Sequence, residues 1–148
     1  MTETTIRPLA RGDEAAWRTL WTAYLDFYDT RVPDAQYAET FARLLSDDPW
    51  QPSGIVAERE GGVVGIVHYL FHSHCWRPER SCYLQDLYVD AAARGSGAGR
   101  RLIEAVYAAA DEENAPVYWI TQEGNAAARR LYDTLAAPTG SIVYARHP

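Results

Sequence analysis

From Asp13 to Tyr28 the apolar residues Ala16, Trp17, Leu20, Trp21, Tyr24, Leu25 and Tyr28 recur every three or four positions. That spacing predicts an amphipathic helix with Asp13 as its cap. A second helix is expected from about Asp34 to Leu45, ended by "SDDPWQPSG", and "TTIRPL" ahead of both is a short strand candidate. "GIVAERE" and "VVGIVHYLFHSHC" then read as two strands of a hairpin around Gly61–Gly62. The loop "WRPERS" leads into a strand from about Cys82 to Val89. A third long helix is expected from about Ala98 to Asp111, its stripe formed by Leu102, Ile103, Val106 and Ala110. "APVYWIT" reads as a fifth strand, "GNAAARRLYDTLA" as a helix capped by Asn125, and "SIVYARH" as a last strand. This order predicts an α/β (α+β) architecture with a mixed, mostly antiparallel sheet.

Composition narrows the picture. At 148 residues with 47% apolar content, one domain spanning residues 1–148 is the economical expectation. No repeat, low-complexity tract or linker interrupts it. No apolar run approaches the roughly 20 residues of a membrane helix, and "MTETTIRPLA" lacks the order of a signal peptide. A cytoplasmic chain with no membrane partner is expected. The net charge of −6 argues against a nucleic-acid partner and mildly favours a cationic one. All 14 basic residues are arginine, which together with the many alanines points to a GC-rich bacterial genome.

Cys75 and Cys82 flank a short loop, and in a reducing compartment two free thiols are expected. His72, His74, Cys75 and Cys82 match no common zinc spacing, so no metal is expected.

The stretch "YVDAAARGSGAGRRLIEAVYAAA" carries the most specific signal. A strand runs into Gly95, Gly97 and Gly99 and then straight into a helix. Free N–H groups at a helix start make a phosphate the first guest to consider. A P-loop needs a lysine after its glycines, and the chain contains none. The dinucleotide fingerprint needs G-x-G-x-x-G and an acidic residue after the next strand, whereas this stretch reads G-x-G-x-G and the next strand ends in Thr121.

Arg94, Gly95, Gly97 and Gly99 form R-G-x-G-x-G, and Asn125, Ala128, Leu131 and Tyr132 form N-x-x-A-x-x-L-Y. The two together, in this order, resemble the GNAT N-acetyltransferase superfamily, over Val63 to about Tyr144 and in helix order before that. The resemblance implies a GNAT fold, acetyl-CoA as cofactor and an amine as acceptor. It implies that the backbone and side chains from Arg94, Gly95, Ser96, Gly97, Ala98, Gly99 and Arg100 hold the pyrophosphate. It further implies that the pantetheine arm lies along Leu87, Tyr88 and Val89, with Asn125 and Ala128 at the second motif.

Tyr132 is implied as the general acid. Asn125 and Tyr132 lie two helical turns apart and share nearly one face. A free tyrosine has a pKa of about 10 against about 8.5 for a thiol, so full proton transfer is uphill by roughly 2 kcal/mol. Hydrogen bonding to the departing sulfur is therefore the safer assignment.

"CYLQDLYV" resembles the strand of the branch that includes polyamine, histone and D-amino-acid acetyltransferases. Members often carry L-E-D there with the glutamate as base, and here Gln85 stands in that place. An amide accepts no proton at neutral pH. Asp86 is the neighbouring carboxylate, although successive strand residues face opposite sides. His68, Tyr118 or a water chain are the alternatives.

An α-amine of pKa about 8 is about one-tenth neutral at pH 7, against about 0.04% for a lysine-like amine. Losing the glutamate therefore favours an acceptor of modest pKa. Acceptor-binding candidates are Tyr24, Tyr28, Asp29, His68, Trp76 and Tyr118, with Asp26 and Trp50 beside them: aromatics to box an amine, carboxylates to attract it. The expected activity is acetyl-CoA-dependent N-acetylation of a small-molecule amine by a homodimer. A protein or peptide acetyltransferase and a non-catalytic acyl-CoA-binding module are the alternatives.

Overall fold

The apolar stripes find their partners on the two faces of a single sheet. The structure is a computed structural model and describes residues 3–148. Strand β1 (Thr4–Pro8) leads through a 3-10 turn at Arg11–Asp13 into α1 (Glu14–Phe27) and α2 (Asp34–Leu44). Strands β2 (Ser53–Arg59), β3 (Gly62–His72) and β4 (Ser81–Val89) follow as a meander. Helix α3 (Ala98–Asp111), strand β5 (Val117–Tyr118) and helix α4 (Ala126–Tyr132) complete the order. The sheet order is β1-β2-β3-β4-β5, antiparallel except for the parallel β4–β5 pair.

Each face of the sheet has its own core. Leu102, Ile103, Val106 and Ala110 of α3 are wholly buried against Ala57, Val67, Cys82 and Leu84. On the other face Trp17, Leu20, Trp21 and Leu25 of α1 pack with Phe41 and Leu44 of α2 over Val56 and Ile66. The 3.6-residue period of each of the three helices places its core side chains on one stripe.

Three local expectations need correcting. The hairpin turns at Glu60 (φ 53°) and Gly61 (φ 77°), with Arg59 opposite Gly62, rather than at Gly61–Gly62. Two successive left-handed residues match the twist of the flanking strands, which is the type I′ solution. The fifth strand keeps only Val117–Tyr118 of the expected seven-residue run. "SIVYARH" joins no strand: Ile142, Val143 and Tyr144 are exposed, because β5 is too short to offer an edge for them within the chain.

Asp13 also differs from its expected role. Its side chain makes no cap bond to α1. It accepts the Ala10 N–H and pairs bidentately with Arg7, at 2.8 and 2.9 Å, fastening β1 to the start of α1. The Arg7 guanidinium holds the Asp13 carboxyl below the usual carboxylate range. A carboxyl depressed in the folded state contributes fully above its unfolded pKa of about 3.9, and loses that contribution as pH falls through the folded value. Asp13→Asn is expected to cost about 1–2 kcal/mol at pH 7, allowing for the partial exposure of Arg7. In urea unfolding, the gap between variant and parent should close below about pH 4.

Candidate active site

Strand β4 is paired on both sides only at its start. Cys82 and Tyr83 pair with Val117 and Tyr118 of β5, and beyond them β4 continues to Val89 with no strand on that flank. The two parallel strands therefore diverge and leave a wedge. One strand edge of the wedge is the second half of β4, where no strand pairs with the flank along Leu87, Tyr88 and Val89, and where the Val89 carbonyl takes the Arg94 side chain instead. An extended ligand with amide groups can pair with such an edge as an added strand does.

A β-bulge sits on the same half of β4. Tyr69 of β3 faces Leu84 and His68 faces Asp86, so Gln85 is the extra residue. A bulge resets the two-residue alternation. Before it Cys82 and Leu84 point to the α3 core; after it Leu87 and Val89 do. Asp86 is thereby placed in phase with Tyr83 and Tyr88 on the α1 face, and Gln85 stays exposed. The expectation that neighbouring Gln85 and Asp86 simply alternate sides is corrected by this extra residue.

The mouth of the wedge is the glycine turn. Gly95 (φ +79°) and Gly97 (φ +87°) are left-handed, and a Cβ at either would meet nothing within 4 Å, so the requirement is conformational rather than spatial. Gly97 ends the turn at the N-cap of α3. The first-turn N–H groups of Gly99 and Arg100 have no acceptor within the helix, and that of Ala98 meets only the Ser96 hydroxyl.

Arg94 folds back, donating from Nε to the Val89 carbonyl at 3.1 Å and lying over the Tyr88 ring. Arg100 donates to the Thr134 hydroxyl just past α4.

The far wall is α4. Asn125 caps it through Oδ1, accepting the Ala128 N–H at 3.4 Å. Tyr132 lies two turns on, half-buried, its ring 5.4 Å from that of Trp119. Burial, with the nearby Tyr28, pushes its hydroxyl above the ordinary tyrosine value. Thr121, between β5 and α4, has a buried hydroxyl with no partner among the described residues. The free strand edge, the uncapped helix start and this orphaned hydroxyl together suit the amides and phosphates of a coenzyme A arm.

On the α1 side Tyr24 and Tyr28, with ring centroids 5.1 Å apart, lie close to Asp86. Burial, then the Asp86 carboxylate, raises both hydroxyls above their ordinary value. Tyr83 stacks on Tyr118 at 4.9 Å, and the Tyr118 hydroxyl bonds His72 Nε2 at 2.8 Å. These tyrosines and Asp86 form one acidic, aromatic group.

His68 departs from its expected role at the acceptor. It is 3% exposed, and both ring nitrogens are engaged, Nε2 by Trp17 and Nδ1 by Asp86. It has no nitrogen left to touch a ligand. Trp76 stands 90% exposed on the β3–β4 connection with its ring against His74; among the described residues nothing ties it to the tyrosine group. Asp29 is exposed and left-handed at the end of α1. Both cysteines are free, and burial pushes the Cys82 thiol up to about 12. Tyr83 and Trp17 were missed by sequence reasoning. The signal for Tyr83 was present in the aromatic beside "LQD", whereas Trp17 reads only as core.

Comparison with known proteins is consistent across the chain. The acetyltransferase (GNAT) family profile matches residues 16–136. The D-amino-acid N-acetyltransferase HPA3 of Saccharomyces cerevisiae is 38% identical over 144 residues, covering 96% of this chain and 89% of that protein. An uncharacterized N-acetyltransferase of Bacillus subtilis, YhfO, is 30% identical over 86% of this chain and 85% of its own. Among solved structures, AAC(6')-Iy in complex with the bisubstrate analog CoA-S-monomethyl-acetylneamine superposes with a TM-score of 0.84. It is 16% identical and 99% of each chain is covered, a likeness of fold.

Proposed function

Since the chain belongs to the GNAT family of N-acetyltransferases, we propose that it transfers the acetyl group of acetyl-CoA to the amine of a small molecule, with amino acids as the favoured class. The observation that carries the reading is the wedge between β4 and β5, bounded by the uncapped start of α3 and by Tyr132. Acetyl-CoA supplies an activated thioester carbonyl and a sulfur leaving group.

The chain's own residues supply the rest. The open N–H groups of the first turn, those of Gly99 and Arg100, counter phosphate charge at the positive end of α3, with Gly95 and Gly97 shaping the approach. The free edge of β4 at Leu87, Tyr88 and Val89 aligns the arm. Tyr132 donates its O–H to the sulfur as negative charge develops there. The raised pKa of Tyr132 keeps that proton in place over the working range, so the hydroxyl acts as a hydrogen-bond donor.

The similarity to a D-amino-acid N-acetyltransferase supports an α-amine acceptor. So does the exposed amide at Gln85, which leaves no base at that position for a strongly protonated amine. The homodimer is supported by the solvent-exposed Ile142, Val143 and Tyr144, and by exposed Ile120 beside the open flank of β5.

Release of free thiol from acetyl-CoA is the test, with D- and L-amino acids beside polyamines. Amine-dependent release, fastest with amino acids, is the expected result. Calorimetric binding of coenzyme A without amine-dependent release would assign the chain as a non-catalytic binding module instead.

A further inference from the structure

We propose that Asp86 is the docking group for the acceptor's ammonium, aimed by His68 and walled by Tyr24, Tyr28 and Tyr83. This rests on the acetyl-transfer reading for its biology but on independent geometry. Trp17 Nε1 is a donor only, and it sits 2.9 Å from His68 Nε2. That nitrogen must therefore accept, which leaves the proton on Nδ1, 2.8 Å from Asp86 Oδ2. The line Trp17–His68–Asp86 fixes the imidazole's orientation and points one carboxylate oxygen.

The charge on Asp86 is then the unsolved part of the arrangement. Its side chain is 14% exposed, and among the described residues no arginine pairs with it. A carboxylate so far removed from water is costly without a positive partner. His68 occupies one of about four lone-pair sites on the carboxylate and the Tyr24 hydroxyl reaches another, which leaves room for an ammonium's donors. The groups that face it from the packed elements are Tyr24 and Tyr28 of α1, His68 of β3 and Tyr83 of β4. None of these carries a fixed positive charge. A small primary ammonium supplies the missing charge, and tyrosine ring faces favour a cation between them. Tyr28 also neighbours Tyr132, which links the Asp86 group to the hydroxyl assigned to the leaving sulfur.

The test uses the full chain with coenzyme A present and tryptophan labelled with nitrogen-15. Ethanolamine, D-alanine and putrescine are titrated in turn while the Trp17 Nε1–H resonance is followed. A saturable shift is expected in the parent, and Asp86→Asn should weaken it about 10- to 100-fold with coenzyme A affinity unchanged. Equal titration in the variant, or no saturable shift with any of the three amines, overturns the proposal.

His68 is a positioning residue, so its readout is the split between KM and kcat. His68→Ala should raise the amine KM about tenfold at nearly constant kcat. His68→Asn, whose amide N–H replaces Nδ1–H, should restore it. An unchanged KM in His68→Ala would overturn the aiming role. Amine binding without thiol release sinks acetyl transfer and leaves docking in place; thiol release with undiminished binding in Asp86→Asn overturns docking alone.

Discussion

Tyr132→Phe is expected to lower kcat about 100-fold while the KM for acetyl-CoA moves little. The phenyl ring keeps the packing against Trp119, so the change removes one hydroxyl and little else. What is lost is a hydrogen bond that strengthens only as charge collects on sulfur, and such an interaction appears in kcat rather than in binding. Because burial holds the Tyr132 proton above the ordinary tyrosine range, the parent should show no loss of activity from tyrosine ionisation below about pH 10. Steady-state rates across pH for both proteins check this. A phenylalanine variant with undiminished kcat would remove Tyr132 from the chemistry and leave it as a packing residue.

The largest effect on stability is expected at Trp17. It is wholly buried, stacked on Trp21 at 5.1 Å and tilted on Phe41 at 5.2 Å, and it donates to His68. Trp17→Ala removes that volume and orphans His68 Nε2 in a dry site. The expected cost is about 3–5 kcal/mol, a large part of the roughly 5–15 kcal/mol that hold a domain together. Trp17→Phe keeps most of the ring and loses the N–H, so about 1–2 kcal/mol is expected. Urea unfolding of both variants separates packing from hydrogen bonding. A loss under about 1 kcal/mol in the alanine variant would mean the site collapses freely, contrary to the packing described.

Where the sequence was legible, one period or one motif decided the matter. The stripes of α1 and α3 identify their buried faces residue by residue. The alternating glycines announce the left-handed turn at Gly95 and Gly97 that opens α3 without any side-chain contact being known. The relation of Gln85 to Asp86 was not legible, because the step of three from Leu84 to Leu87 is the bulge's only trace in "CYLQDLYV", and one broken period does not say which residue is the extra one. Only the pairing with β3 identifies it as Gln85.

His68 was misplaced for a related reason. A histidine on an apolar strand gives no sign of whether a tryptophan 51 positions away stands over it. The last strand failed on supply. "SIVYARH" has strand composition, but propensity needs a neighbouring edge, and two paired residues in β5 do not provide one.

The bulge gives position 85 an unusual kind of importance. Its side chain is free to vary, since the amide faces solvent, while the extra backbone unit bends β4 beside its unpaired flank. Removing it would bring Leu84 next to Asp86 in plain alternation, with Leu87 and Val89 still turned to α3 and the carboxylate still turned to α1. What position 85 supplies is curvature, whichever residue stands there.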